Sequence, residues 1–380
     1  MIFACTQENL LQGLSLVSHV AGKNPNLPIL GNVLIKTEGG SLKISTTNLE
    51  MAVSALVRGR VEEEGEFTVP VKLLQDYVSL LPDGKVELAV KDEALEVRAD
   101  GKSTSIKGVA ASEFPLIPKL AKDTGYKMNA RALAEAIGQV VFAVSTSESR
   151  PELSGVACFF HGSAGHDRLV MAATDSYRLS ERSMPLLPGG GSSEARCIVP
   201  ARAMLEVARI LSSYKDDVSM PEEVGWSITE SQFVLTYGQV ELISRLIEGS
   251  FPDYRQIIPQ RFKTKMVVPR TEVLRAIRAA SLFARQGLYD VLLELGGDGT
   301  LKISSADTGK GAHTTTLKVE ADPEPNKVTL NFKYVSDGLS ALGGEKIQIR
   351  MIDGMNPVVV TPADSSCGEE FQYVVMPIRQ

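Results

Sequence analysis

The chain has 380 residues, 40 Lys and Arg against 46 Asp and Glu, and a formal net charge of −6. With 43% hydrophobic and 23% charged residues it has the balance of a folded chain of roughly two to four domains, not of a disordered one. No apolar run reaches the roughly 18–20 residues of a membrane helix, the N-terminal Met1-Ile-Phe-Ala-Cys-Thr-Gln-Glu8 lacks the basic start of a secretory signal, and the acidic balance speaks against a surface that is basic all over.

The first predicted element is a helix over 8–20. A strand, Leu42-Lys-Ile-Ser-Thr-Thr-Asn48, then ends in an Asn turn. Phe67-Thr-Val-Pro70 reads as a strand that enters a helix over 72–80. Proline suits that start, because its missing N–H has no intrahelical partner there. Val86-Glu-Leu-Ala-Val90 and Leu95-Glu-Val-Arg-Ala99 alternate as strands, and Asp100-Gly101 is a hairpin signal. Glu113-Phe-Pro115 follows.

The same order then recurs. A helix over 130–144 places Leu133, Ile137, Val140, Val141 and Val144 at helical spacing. Leu169-Val-Met-Ala-Ala-Thr-Asp175 matches the Asn48 strand, and Cys197-Ile-Val-Pro200 enters a helix over 201–213. Ser250-Phe-Pro252 matches Glu113-Phe-Pro115. A third round brings a helix over 270–285, Leu301-Lys-Ile-Ser-Ser-Ala-Asp307, then Val328-Thr-Leu-Asn331 into a helix over 332–342. Met376-Pro377 is a looser third copy of the Phe-Pro motif. Asp298-Gly299 and Asp353-Gly354 are further hairpin signals. Asn331 stands where Pro70 and Pro200 stand, and asparagine is a favoured N-cap. The turn residues are spaced 127 and 132 apart and the helix starts 130 and 131 apart. The expected organisation is three tandem copies of one α+β fold, 1–125, 126–262 and 263–380, each an antiparallel sheet with two helices on one face. Sheet edges let such copies join edge to edge in a continuous curved sheet.

The six predicted helices hold nine basic residues (Lys72, Arg131, Arg202, Arg209, Arg270, Arg275, Arg278, Arg285 and Lys333) and six acidic ones. That is +3 on the helices and −9 on the rest. Taken alone, so small an excess is ordinary for solvated helices. It gains meaning because the repeat puts the helices on equivalent faces.

Catalytic patterns are missing from the sequence. Gly101-Lys102-Ser103 resembles the end of a phosphate loop, but the earlier glycine that loop needs is Glu96, and the tripeptide follows a turn aspartate. There is no G-x-S-x-G and no H-E-x-x-H. The four histidines are scattered. Cys5, Cys158, Cys197 and Cys367 lie far apart with no C-x-x-C, which reads as reduced thiols and gives no metal site. Asp175 and Asp307 are explained by turn chemistry, and the single Trp226 offers no stacking platform for single-stranded nucleic acid.

Four segments resemble one family: Leu27-Pro-Ile-Leu-Gly-Asn32, Ala173-Thr-Asp-Ser-Tyr-Arg-Leu-Ser180, Gly249-Ser-Phe-Pro-Asp-Tyr-Arg255 and Tyr373-Val-Val-Met-Pro-Ile-Arg379. In register with a threefold repeat over the whole chain, they resemble the bacterial DNA sliding clamps, the beta subunit of DNA polymerase III. The resemblance implies three DNA-clamp domains per chain. Helices line the inside and antiparallel sheets the outside of a ring that two chains close head to tail. Duplex DNA passes through, held without reading of sequence. No enzymatic activity and no cofactor are implied, and the expected location is the cytoplasm, at the nucleoid. The implied partners are a second copy, double-stranded DNA, the replicative polymerase, an ATP-driven clamp loader, and other polymerases and repair proteins that insert short linear motifs.

Carried over residue by residue, the DNA-facing set is Lys23, Asn24, Lys72, Arg131, Arg202, Arg209, Arg275, Arg278 and Lys333. The peptide pocket between the middle and last domains would be formed by Leu153, Thr174, Ser176, Tyr177, Arg178, Leu179, Pro252 and Ile257. Its other part would be Asn331, Tyr334, Pro357, Val374, Met376, Pro377, Ile378 and Arg379. Apolar anchors with a flexible Met and a few polar groups suit a peptide backbone. The dimer contact would set Thr104 and Ile106 on an edge strand against Leu282 and Phe283. Two departures stand out: Ser176-Tyr177 replaces a small residue and histidine, and Gln380 follows Arg379. From the residues alone, an enzyme built on Asp175, Tyr177 and Arg178 and a peptide adaptor that holds no DNA are the other readings. Salt separates the last, since DNA association weakens steeply with salt.

Overall fold

The computed structural model describes residues 1–22, 26–118, 125–147, 149–161, 167–190, 194–214, 221–321, 324–363 and 371–379. The first repeat runs β1 (Ile2–Thr6), α1 (Gln7–Val17), β2 (Asn32–Glu38), β3 (Ser41–Thr47), β4 (Met51–Val57), β5 (Arg60–Glu63), β6 (Glu66–Pro70), α2 (Val71–Ser79), β7 (Lys85–Lys91), β8 (Ala94–Ala99) and β9 (Lys102–Lys107). The second runs β10 (Gly125–Asn129), α3 (Ala130–Val140), β11 (Gly155–His161), β12 (Arg168–Thr174), β13 (Arg178–Pro185), β14 (Ala195–Pro200), α4 (Ala201–Ser213), β15 (Glu223–Ile228), β16 (Gln232–Tyr237) and β17 (Val240–Arg245). The third runs β18 (Thr264–Pro269), α5 (Arg270–Ser281), β19 (Asp290–Leu295), β20 (Thr300–Asp307), β21 (Gly311–Lys318), β22 (Glu320–Ala321), β23 (Asn326–Asn331), α6 (Phe332–Ala341), β24 (Lys346–Met351), β25 (Val358–Pro362) and β26 (Phe371–Val375).

The helix starts follow local chemistry. Thr6 Oγ1 accepts from the Asn9 N–H at 3.2 Å and Asn331 Oδ1 from the Lys333 N–H at 2.9 Å, each satisfying a donor that the helix leaves unpaired. Pro70 and Pro269 precede α2 and α5. Asp100 and Gly101, both at positive φ, make the β8–β9 turn, so Gly101-Lys102-Ser103 is a hairpin and not a phosphate loop. Several expected bounds move: α1 is Gln7–Val17 where 8–20 was expected, α3 ends at Val140 before the expected 144, and α5 ends at Ser281, so Arg285 lies outside it and pairs with Asp290 at 2.5 Å. The observed helices therefore carry eight basic residues against six acidic ones, an excess of +2.

Four sheets form. β5-β1-β7-β8-β9 and β10-β15-β16-β17-β4-β3-β2-β6 belong to a first compact unit of Met1–Arg131, Leu187–Gly191 and Glu206–Leu246. β14-β11-β12-β13-β26-β25-β24-β18-β22 and β21-β20-β19-β23 belong to a second, of Ala132–Leu186, Ser192–Leu205 and Ile247–Gln380. Two sheets cross repeat boundaries. The last strand of the second repeat, β17, pairs with β4 of the first, and β26 of the third pairs with β13 of the second. Each compact unit thus gathers strands from two repeats.

In the first unit α1 lies on α2 and β4, burying Leu10, Leu14 and Val17 with Leu74 and Val78. Trp226 is fully buried there and stacks on Phe233 at 4.8 Å. In the second, α5 and α6 bury Val273, Ile277, Val335 and Leu339 against Leu293, Ile303 and Ile349. Each such side chain contributes about 1.5–3 kcal/mol relative to exposure. Among the described residues no helix is long and apolar enough to cross a membrane.

Candidate functional site

The site begins at the turn after β12. Thr174 Oγ1 donates to the Arg178 carbonyl at 2.6 Å and accepts from the Ser176 N–H at 3.1 Å. Asp175 Oδ1 accepts from the N–H groups of Tyr177 and Arg178 at 2.9 and 3.0 Å. Ser176 takes φ 77°, which costs a side chain that glycine would lack. The first repeat builds the same turn with Thr47, Asn48 and Leu49 at φ 76°. The turn thrusts Tyr177 outward, 63% exposed, where its ring stacks on Tyr334 at 6.4 Å and 19°.

Arg178 points the other way and is fully engaged. Its Nε donates to Asp175 Oδ2 at 3.0 Å, Nη1 to Asp337 Oδ2 at 2.6 Å and Nη2 to the Phe142 carbonyl at 2.9 Å. The guanidinium also lies over the rings of Tyr334 (4.7 Å) and Phe142 (5.4 Å). Burial works against its charge, but Tyr373, Asp337 and Asp175 outweigh that and hold it above its ordinary range. Arg178 is therefore a pin between the turn, α6 and the end of the segment after α3. Removing it leaves Asp175 half-buried without its cation. Arg178→Ala should cost about 2–4 kcal/mol in urea unfolding. Asp337→Asn should cost less than about 1 kcal/mol, because Asp337 is half exposed.

The tail completes the site. β26 lies between β13 and β25, with Val374 buried beside Leu179, Tyr254 and Val359. Tyr373 donates its hydroxyl to the Tyr334 carbonyl at 2.8 Å. Its ring fits because α6 has Gly338 there; a Cβ would sit 2.1 Å from it. Past the strand, the Met376 N–H donates to the Tyr177 carbonyl at 2.9 Å and the Ile378 N–H to Thr329 at 2.8 Å. Ile378 borders a concavity of ≈ 730 Å³ lined by Leu292, Leu295, Asn326, Thr329 and Met355. Of the expected pocket residues, Leu153, Thr174, Leu179 and Val374 are buried. Pro252, Asn331, Tyr334, Pro357, Met376, Pro377 and Ile378 are half-buried, and Ser176, Ile257 and Arg379 are exposed with Tyr177. Turn, stacked tyrosines and tail meet through these bonds. Asp337, Phe142 and Tyr373, which hold Arg178, were not legible as site residues.

Among the expected DNA-facing residues, Lys72, Arg131, Arg202, Arg275, Arg278 and Lys333 are exposed on their helices. Arg275 and Arg278 lie three apart on one face of α5. Lys333 Nζ sits 3.4 Å from the Tyr289 ring centroid. Arg209 differs: it pairs with Glu206 at 2.5 Å and donates to the carbonyls of Ser15 and Leu16, so α4 spends it on the fold. Lys23, Asn24 and Gln380 lie outside the described residues.

β9 and β21 each end a sheet. Thr104 is half-buried on β9. Ile106 is only 4% exposed, so its side chain serves the core and only its backbone is available at that edge. Leu282 is 70% exposed just after α5, and Phe283 stacks on His313 of β21 at 5.8 Å. Among the described residues no group of three or more His, Cys, Asp or Glu could hold a metal. The Asp175 carboxylate, named with Tyr177 and Arg178 in the enzyme reading, is taken up by the turn and Arg178.

Family models for the N-terminal, central and C-terminal domains of the DNA polymerase III beta subunit match residues 1–118, 127–253 and 255–379. The chain is 30% identical to the beta sliding clamp of Synechococcus elongatus, over 100% of this chain and 99% of that one. It is 29% identical to that of a Synechocystis species with the same coverage. Its fold matches the crystal structure of the DNA polymerase III subunit beta of Pseudomonas aeruginosa with a TM-score of 0.91 at 27% identity, covering 100% of both chains. The DNA polymerase sliding clamp of Bacillus subtilis matches with a TM-score of 0.91 at 26% identity, covering 100% of this chain and 99% of that one. The chain belongs to the DNA polymerase III beta subunit family, the bacterial sliding clamps, and its function is that of a processivity factor in DNA replication.

Proposed function

We propose that two copies close head to tail into a ring around duplex DNA, with clamp domains at 1–125, 126–262 and 263–380. The observation that carries this is the pair of junctions between repeats. In both, the last strand of one repeat pairs with the fourth strand of the repeat before it: β17 on β4, and β26 on β13. Among the described strands of that series, β9 and β21 are left without such a partner. β9 on β21 of a second copy repeats the junction and closes the circle, a head-to-tail contact that a two-fold axis completes. Ser244 faces Met51, and Val375 faces Arg178. Carried through the ladders, the same register sets Ile106 opposite Gly311 and Thr104 opposite His313 of the partner subunit. Leu282 and Phe283 then flank the new pair.

Lys72, Arg131, Arg202, Arg275, Arg278 and Lys333 supply a modest positive inner wall. Attraction to phosphate without base contacts lets a ring slide. The negative remainder of the chain discourages DNA outside. Lys23 and Asn24 are candidates on the same ground. The Tyr177–Tyr334 stack, Arg178 and the tail form the groove for linear motifs of the polymerase, the clamp loader and repair proteins. The chain is not an enzyme, and the clamp loader supplies the ATP chemistry. Its place is the cytoplasm, at the nucleoid.

Reversing Arg275 and Arg278 to Glu tests the wall. Each lost phosphate contact lowers the salt slope of DNA association by about one unit. The double variant should lose roughly 10–100-fold in DNA association at low salt while peptide affinity stays unchanged. Unchanged salt dependence would remove α5 from the wall.

A further inference from the structure

Cys158 and Cys197, 39 residues apart in sequence, are direct cross-strand partners on β11 and β14. Far apart in sequence and free in the structure, the two thiols are brought together by the strand pairing. Direct partners in an antiparallel pair project from the same sheet face, with Cα atoms about 4.5–5.5 Å apart. Disulfides span roughly 4.4–6.8 Å between Cα atoms, so little backbone movement separates two thiols here from a bond. Both thiols are free, and Cys158 Sγ lies 3.9 Å from the Val156 carbonyl. Cys158 is fully buried, whereas Cys197 is half-buried on a strand that, among the described residues, ends its sheet beside β11.

We propose that Cys158 and Cys197 are a redox modification site, forming a reversible cross-strand disulfide by exchange with a low-molecular-weight disulfide such as oxidised glutathione. Access sets the order of steps. The Cys197 thiolate attacks one sulfur of the small disulfide, its S–S bond breaks, and one thiol leaves carrying the proton that Cys197 gave up. Cys158 then loses its proton and attacks the Cys197 sulfur, expelling the second small thiol. The protein loses two hydrogens and one small disulfide becomes two thiols, so electrons and atoms balance. Hydrogen bonding to Cys197 and burial both hold the Cys158 thiol protonated, which makes it the resolving partner and not the first attacker. The bond staples the edge strand that leads directly into α4, and excess thiol reverses it. Lasting disulfides are rare in reducing compartments, so such a pair acts there as a switched staple.

The test exposes the native full-length protein to oxidised glutathione, blocks remaining thiols, and maps unreduced peptides by mass spectrometry. The expected product is one Cys158–Cys197 peptide, two hydrogens lighter and restored by dithiothreitol. Cys5, whose thiol burial pushes up to about 12, should stay reduced. In Cys158→Ser, glutathione should remain on Cys197 as a mixed disulfide; in Cys197→Ser, neither product should form. The oxidised form should unfold several degrees higher than the reduced form. A stable glutathione adduct on Cys197 of the unmodified protein, a link from Cys197 to another cysteine, or a link that forms only in denaturant would overturn the proposal. The mapping on unmodified protein stands even if a variant fails to fold.

Discussion

Ser105→Pro should turn the proposed dimer into a folded monomer. At the two junctions within the chain, the Arg245 N–H donates to Glu50 and the Met376 N–H to Tyr177, across the repeat boundary. Counting back through the ladder, the residues of β9 that present their N–H outward are Ser103, Ser105 and Lys107. Proline at 105 removes one of these donors and leaves the β8–β9 pairing in place, since edge strands tolerate proline on the free side. The lost hydrogen bond and the stranded carbonyl opposite it cost about 2–4 kcal/mol. A two-fold ring contains that contact twice, so the dissociation constant should rise by at least about a thousandfold. Native mass measurement across a dilution series reads it directly. Thr104→Pro strikes the other side of β9 and should destabilise the monomer itself. A dimer that survives Ser105→Pro would show that the ring closes elsewhere.

Removal of residues 376–380 should abolish client binding and spare the fold. Met376, Pro377 and Ile378 are half-buried, and their loss from a peptide site removes about 1.5–3 kcal/mol for each anchor that a client would bury. Two anchors already bring a loss of roughly a hundredfold or more. Inside the protein the cut deletes two backbone hydrogen bonds, to Tyr177 and Thr329, worth about 1 kcal/mol each. Unfolding should therefore shift by only a few degrees, and the dimer should persist. The cut must fall after Val375. Val374 and Val375 are buried in the ladder with β13 and β25, so a cut after Tyr373 damages the sheet and confuses the readout. Titration of a labelled peptide bearing the polymerase's linear motif checks it, and retained affinity would place the groove elsewhere.

The parts of this fold that local chemistry dictates were legible from residues alone. Thr-Asn and Thr-Asp closing β3 and β12 announce their turn because the side chains make the turn's hydrogen bonds themselves. Pro70 and Asn331 mark helix starts for equally local reasons. Pairings between distant segments were not legible. Nothing near Cys158 foretells Cys197, and nothing near β17 foretells β4. Arg178 stood out as a pocket or enzyme candidate and not as a pin, because Asp337 and the Phe142 carbonyl reach it through the tertiary fold. Arg209 and Ile106 failed as surface residues for the same reason: a sequence shows residue type, and burial is set by neighbours far along the chain. Arg285 lies beyond the end of α5 and pairs with Asp290, a contact the helical pattern of the sequence does not announce.

A ring that holds DNA by topology leaves a circular duplex only once the circle is opened. The direct measurement is retention of the unmodified protein on a nicked circular duplex after loading, followed through linearisation of the circle. The protein should stay on the circle and be lost within minutes once the DNA has ends, with native mass confirming a dimer in the same sample. Equal retention on circular and linear DNA would contradict the ring.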